Sequence, residues 1–364
     1  MMHPSTLEDV RAAVRDCPPG SQLLPRGGGT KPALSTIPNY QLLITNLQIS
    51  SLSGVLEYEP SEFTFTALAG TPITEVTALL DEHGQYLPFD PLLVARGATL
   101  GGTVAAGISG PGRYRYGGVR DFLIGVRFVD GEGRLVRGGG KVVKNAAGFD
   151  LPKLMVGSLG GLGVLVELTF KVFPKPEAHT MLRLACGTLD DALQALYRLQ
   201  TARLDVDAVD IEMQSETTAW VRLAGLAKAL PARLERLRGV LDGGDVIEGV
   251  SEAGLWRRAR ELEWVPPGWT LLKAPLTPRR IPTLEASLEG REAMRRYSSG
   301  GQVAWIASPE RPQEIDALLS SQGLAGLALY GPPGTVRLGV RPGEAFARRV
   351  KQALDPSGRF AAND

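Results

Sequence analysis

The stretch Ala98-Thr99-Leu100-Gly101-Gly102-Thr103-Val104-Ala105-Ala106-Gly107-Ile108-Ser109-Gly110 carries almost no long side chain. Backbone this bare lets a large flat ligand lie directly against it. The hydroxyls of Thr99, Thr103 and Ser109 are of the kind that bonds phosphate or ribose. The same composition also suits a close-packed pair of helices, so the stretch is decided by its neighbours.

Upstream, a short apolar strand at Leu23-Leu24 runs into Arg26-Gly27-Gly28-Gly29-Thr30-Lys31. Three adjacent glycines allow successive backbone N–H groups to turn toward one point, a concavity that can cradle the two phosphates of a dinucleotide. A glycine triplet alone equally makes a flexible turn. Two familiar phosphate motifs are excluded. Gly140-Lys141 is followed by Val142, which rules out a P-loop, and no G-x-G-x-x-G occurs, which rules out a standard Rossmann turn.

Downstream comes Arg113-Tyr114-Arg115-Tyr116-Gly117-Gly118-Val119-Arg120-Asp121. Its cations can offset a pyrophosphate, or they can be ordinary charges of a solvated loop. The last segment is Gly138–Gly140, Lys141, Lys144-Asn145, Gly148-Phe149-Asp150 and then Gly157-Ser158-Leu159-Gly160-Gly161-Leu162-Gly163-Val164. It turns straight into a strand at 164–172, where Val164, Val166, Leu168, Phe170 and Val172 alternate with Glu167, Thr169 and Lys171.

The remaining pattern predicts a helix at 5–16, opened by a Ser5/Glu8 capping box. Strands are predicted at 41–44, 55–58 and 63–67, the last half-buried. A helix follows with Thr71 as N-cap and Pro72 at its first position. Leu123–Val129 and Arg134–Arg137 form a hairpin around Asp130-Gly131, and Asp150 starts a short helix reaching Gly157. Past Pro174-Lys175-Pro176, strand-like and helix-like segments alternate, which predicts an α+β unit with an antiparallel sheet. Arg348–Leu354 reads as a final helix.

A net charge of +1 offers no footprint for nucleic acid or an anionic membrane. Two distant cysteines, Cys17 and Cys186, predict neither a disulfide framework nor a cluster site. The N-terminus lacks a basic and apolar leader, and no apolar run has membrane-spanning length, so a cytoplasmic chain is expected.

Taken in order, R-G-G-G-T, A-T-L-G-G-T-V-A, R-Y-R-Y-G-G-V-R-D, K-N-A-A-G-F-D-L and G-S-L-G-G-L-G-V-L resemble the FAD domain of the vanillyl-alcohol-oxidase/PCMH superfamily. Within it, the sequence is most similar to the FAD-binding subunits of bacterial glycolate oxidase. The likeness is strong over 20–176 and loose beyond. It implies a two-part PCMH-type FAD-binding domain at 1–176, an α+β cap at 177–345, and a C-terminal helix and tail at 346–364 that return to the FAD domain. It implies that FAD is held without a covalent bond. The pyrophosphate loop falls on Arg26, Gly27, Gly28, Gly29 and Thr30. A second contact falls on Thr99, Leu100, Gly101 and Gly102 and continues to Ser109. A flavin-side loop falls on Tyr116, Gly117 and Val119, and a last turn on Gly161, Gly163 and Val164. For Gly28→Val the expectation is a side chain pushed into the phosphate space and lost FAD.

Two departures bear on function. The family's catalytic members carry a histidine-rich metal motif in the cap, whereas this chain has only His3, His83 and His179, at no ligand spacing. Its tail reads Phe360-Ala361-Ala362-Asn363-Asp364 where the family has F-N-P-G. The leading expectation is therefore an FAD-binding subunit of a glycolate-oxidase-type complex, acting on glycolate or D-lactate beside a larger flavoprotein and an iron–sulfur protein. The alternatives are a stand-alone 2-hydroxy-acid dehydrogenase, with Arg257, Arg260, Lys273, Arg279 or Arg280 on the carboxylate, and a flavin-free scaffold. No catalytic base is readable.

Overall fold

Short apolar runs punctuated by glycine and proline build two units in the computed structural model, which describes residues 1–35, 43–140, 149–334 and 336–361. Gln41, Lys141, Lys144, Asn145, Gly148 and residues 362–364, named above, lie outside the described residues. One unit holds residues 1–109, 117–175 and 342–364; the other holds 110–116 and 176–341. The short segment 110–116 thus packs with the second unit, and glycine and proline mark both of its ends, at Gly110-Pro111-Gly112 and Gly117-Gly118.

The first unit opens with α1 (Leu7–Arg15). Its capping box is Thr6/Asp9, one residue later than the Ser5/Glu8 pair expected. Asp9 is short enough to face back and accept the Ser5 and Thr6 N–H groups at 3.0 and 2.9 Å, while Glu8 pairs with Arg11 at 2.9 Å. Strands β1 (Ser21–Arg26) and β2 (Leu43–Gln48) pair in parallel. The chain's end closes on β1, where Leu23 N–H donates to the Arg359 carbonyl at 2.7 Å and Ala361 N–H to the Leu23 carbonyl at 3.0 Å.

Next come β3 (Val55–Glu59), β4 (Thr64–Leu68) and α2 (Ile73–Asp81). The N-cap of α2 is Pro72, not Thr71. The Thr71 hydroxyl is committed to the preceding turn, donating to Leu68 O at 2.7 Å and accepting Gly54 N–H at 3.0 Å. After β5 (Gln85–Tyr86) follow α3 (Leu100–Ala106), α4 (Arg113–Tyr116, in the second unit) and α5 (Val119–Phe122). The hairpin β6 (Leu123–Val129) and β7 (Leu135–Gly139), helix α6 (Leu151–Met155), β8 (Val164–Lys171) and β9 (Phe173–Pro174) complete the order.

The strands of this unit form a five-stranded antiparallel sheet in the order β3-β4-β8-β6-β7, and β5 pairs with β9. Strand β4 is buried from Thr64 to Ala67, more deeply than the expected half-burial. It lies between β3 and β8, and its polar side is satisfied within the sheet, with the Thr66 and Thr169 hydroxyls 2.9 Å apart. On the apolar side Phe65 stacks on Phe170 and Phe89 on Phe170, at 5.5 and 5.7 Å between centroids. Each of these fully buried rings stabilises the unit by about 1.5–3 kcal/mol.

The second unit consists of β10 (Ala178–Cys186), α7 (Leu189–Thr201), β11 (Ala208–Met213), β12 (Thr217–Gly225), α8 (Leu230–Leu241), β13 (Asp245–Glu248) and α9 (Gly249–Arg260). It continues through β14 (Thr270–Pro275), α10 (Ile281–Leu288), β15 (Met294–Ser298), β16 (Val303–Ser308), α11 (Pro312–Ser321), β17 (Ala325–Tyr330) and β18 (Arg337–Gly339). All nine strands join one antiparallel sheet, β13-β10-β12-β11-β15-β16-β14-β17-β18. Helices α7, α10 and α11 pack their leucines and isoleucines on Ile211, Leu272, Tyr297 and Ile306. Helix α12 (Glu344–Leu354) belongs to the first unit, where Lys351 bonds the Gly161 carbonyl at 2.9 Å.

Candidate cofactor site

Where β1 ends, the backbone leaves the sheet through Gly27–Thr30 and meets the start of α3. The meeting is tight. A Cβ on Gly28 would lie 1.9 Å from the Gly97 carbonyl oxygen, so only glycine lets the two loops touch. This corrects the expectation for Gly28→Val: the added side chain strikes backbone of the same unit, not ligand space. Gly29 is different. Its φ is +66°, and a Cβ there would meet nothing nearer than an Arg26 nitrogen at 3.7 Å.

The result is a cleft inside the first unit, lined by Arg26–Lys31, Thr99, Gly101, Gly102, Leu159 and Gly163 among others. The backbone N–H groups of Gly28, Gly29 and Thr30 donate to no acceptor among the described residues. The buried Nε of Arg26 and the buried hydroxyl of Thr103 also lack partners there. Lys31 is only 7% exposed, and its ammonium bonds the Thr30 hydroxyl at 3.0 Å. Burial pulls its pKa down to about 8. Unpaired amides beside two cations form a set of donors for a diphosphate, and buried polar groups require such partners. These residues fit the dinucleotide that the sequence implies.

The structure brings Arg26, Gly27, Gly28, Gly29, Thr30, Thr99, Gly101, Gly102 and Gly163 to this one cleft. The Thr99 hydroxyl already serves as N-cap of α3, accepting Gly102 N–H at 3.2 Å. The other positions lie elsewhere. Leu100 is fully buried at the first position of α3, and Val164 is fully buried at the start of β8. The Ser109 hydroxyl accepts the Val119 N–H at 2.9 Å, which ties those two residues to each other. Gly117, at φ +97°, sits against the Asp121 carboxylate, and Gly161 offers its carbonyl to Lys351. Tyr116 belongs to the second unit, with the Arg115 guanidinium 4.9 Å from its ring centre.

Sequence reasoning missed Lys31 as a member of the cleft. The residue closes the candidate segment Arg26–Lys31, but the sequence assigns it no role, and its 7% exposure is a property of the fold. The five basic candidates of the second unit divide. Arg257 pairs with Glu263, Arg280 bonds the Gln322 carbonyl, and Arg279 is exposed. Arg260 carries a partner of its own, and the charge of Arg113 acts on Lys273. Cys17 and Cys186 are both free and buried. Among the described residues no helix is long and apolar enough to cross a membrane.

Comparison with known proteins points to the same cofactor. A family model described as an FAD binding domain matches residues 1–139. The glycolate oxidase subunit GlcE of Escherichia coli (strain K12) is 32% identical over 357 residues, covering 97% of this chain and 94% of GlcE. The glycolate oxidase subunit GlcD of Bacillus subtilis (strain 168) is 31% identical over 182 residues, which is 50% of this chain and 38% of GlcD. Among solved structures, an alkyldihydroxyacetonephosphate synthase superposes with a TM-score of 0.72 at 17% identity, over 98% of this chain and 74% of that one, and so shares the fold.

Proposed function

We infer the function from one premise, that the chain belongs to the family of the glycolate oxidase subunit GlcE. It is an FAD-binding subunit of a multi-subunit oxidoreductase that oxidises a short 2-hydroxy acid, glycolate or D-lactate. Bound FAD supplies the redox chemistry by accepting electrons from the α-carbon of the acid or from a partner. The chain's residues bind and orient. The amides of Gly28, Gly29 and Thr30 donate to the diphosphate, and Arg26 offsets its charge. Thr99 fixes the first turn of α3 against the glycine loop, with Gly101 and Gly102 giving room beside it. Leu100, Ser109, Gly117, Val119, Gly161 and Val164 serve by holding the surrounding backbone in place.

The assembly reading follows from chemistry. With two cysteines in separate units, this chain has no ligand set for an iron–sulfur relay. A larger flavoprotein and an iron–sulfur protein are the partners that would complete the electron path. The complex would work in the cytoplasm and reach a membrane through those partners.

The observation that carries this reading is the row of three unpaired amides beside Arg26 and Lys31. The test is the absorbance spectrum of the purified chain, before and after reconstitution with FAD, followed by anaerobic glycolate. Flavin bands that glycolate does not bleach, together with co-purification of an iron–sulfur protein, are expected. Bleaching by glycolate alone would instead make the chain a stand-alone dehydrogenase. A colourless chain that takes up no FAD would be a scaffold.

A further inference from the structure

A lysine ammonium buried to 7% exposure needs a reason to be there. Taking a charge out of water is costly unless an opposite charge comes with it. Lys31 has no carboxylate partner among the described residues; its one bond is to the neutral Thr30 hydroxyl at 3.0 Å. It lines the same cleft as the three unpaired amides, and among the described residues the other charged one lining that cleft, Arg26, is also a cation. The cleft therefore concentrates positive charge that no described residue answers.

We propose that Lys31 is the diphosphate anchor of the cleft, and that a bound dinucleotide brings the charge which keeps its ammonium protonated. This rests on the FAD reading above and adds to it a residue and a proton. The ligand class recognised is a nucleotide diphosphate diester, whatever hangs beyond it. Burial alone holds the free Lys31 near pKa 8, with no charged neighbour contributing. A nearby dianion favours the charged form, so binding takes up a proton wherever the free site has lost it. Affinity should thus be highest below pH 8 and fall as pH rises through that value. The stability of the ligand-free fold runs the other way. Its lysine releases the proton near pH 8, while in the unfolded chain the ordinary value of 10.5 applies, so stability rises between those two pH values.

The test uses the full chain and ADP-ribose, whose diphosphate is a diester with no proton to lose near neutral pH. Titration calorimetry at pH 9, in two buffers of different ionisation heat, should show proton uptake, and affinity should weaken from pH 7 to pH 9. Lys31→Met should lose about tenfold to a hundredfold in affinity for ADP-ribose and for FAD alike, the size of one charge-assisted bond. It should also lose the pH dependence and leave riboflavin unaffected. Lys31→Arg, always charged, should keep affinity and lose the pH dependence. The ligand-free Lys31→Met protein should melt no lower than wild type, because it sheds a buried unpaired charge. Equal ADP-ribose affinity in wild type and Lys31→Met, or no proton uptake by wild type at pH 9, overturns the proposal while leaving the FAD reading intact. Wild type that binds neither FAD nor ADP-ribose overturns both.

Discussion

Lys31 in the first unit and Arg222 in the second are buried almost equally, at 7% and 9% exposed. Their surroundings are opposite. Arg222 donates to Glu252 at 2.6 Å, lies 3.6 Å from Asp207, and stacks 3.9 Å from the centre of the Trp256 ring. Among the described residues Lys31 has one neutral hydroxyl. A buried cation answered from three sides is structural, since removing it strands carboxylates that cannot reach water. A buried cation with no anion is kept for something that arrives. The same contrast separates the backbones. The second unit closes its amides into a nine-stranded sheet, and the glycine loop of the first leaves three amides in a row with no acceptor among the described residues.

The sharpest way to break that contrast is to remove Arg222. Glu252 and Asp207, 4% and 7% exposed, would then be left without their shared cation. Arg222→Met should cost about 3–5 kcal/mol of stability. All five tryptophans lie in the second unit, so a urea titration followed by tryptophan fluorescence reads that unit alone. Flavin content per folded molecule should not change. Lys31→Met is the mirror image, with ligand lost and stability kept. Should Arg222→Met shed flavin while its urea midpoint stays put, the division of labour between the two cations is wrong.

A second pair sharpens the comparison within the loop itself. Gly28 has the Gly97 carbonyl 1.9 Å from where a Cβ would stand, whereas Gly29 has open space but a left-handed backbone. Gly28→Ala should cost about 1–3 kcal/mol by overpacking and lose FAD as the loop shifts. Gly29→Asn should cost less than about 1 kcal/mol and retain FAD, because asparagine tolerates that conformation. Thermal melts with and without FAD measure both. A Gly28→Ala protein of unchanged stability that still fails to bind FAD would mean the methyl enters ligand space after all.

These residues also show what the sequence could and could not reveal. Period-two alternation is local, and it places β8 to within one residue; the turn at Asp130-Gly131 places β6 as the structure has it, while β7 starts one residue later and ends two residues later than expected. Helix starts differ by one residue from the sequence reading at α1, where two neighbouring hydroxyl and carboxylate pairs offer the same box, and at α2, where the Thr71 hydroxyl is taken by the preceding turn. Glycine runs declared that close approaches occur but not what approaches. The partner of Gly28 is Gly97, and that of Ser109 is Val119. The deep burial of Lys31 and the unpaired state of its neighbours are properties of the folded cleft, with no mark in the order of residues. Glycine and proline mark the ends of 110–116, but its assignment to the second unit is set by packing of α4 beside β11.

Thr99 offers the smallest and most discriminating effect. In sequence its hydroxyl is a ligand for phosphate or ribose; in the fold it already accepts Gly102 N–H as the cap of α3. If capping is its task, Thr99→Val should lower stability by about 1 kcal/mol, the usual worth of such a cap. Its FAD affinity should fall only slightly, through loosening of the first turn, and Thr99→Ser should restore both. The same hydroxyl also stands 2.3 Å from where a Cβ on Gly27 would lie, so valine must find room where glycine left little. A drop in FAD affinity beyond tenfold with an unchanged melt would move Thr99 from the scaffold of the cleft to its ligand contacts. Charge and unpaired donors would then not be the whole of what separates the two units, and neutral hydroxyls would have to be counted with Lys31.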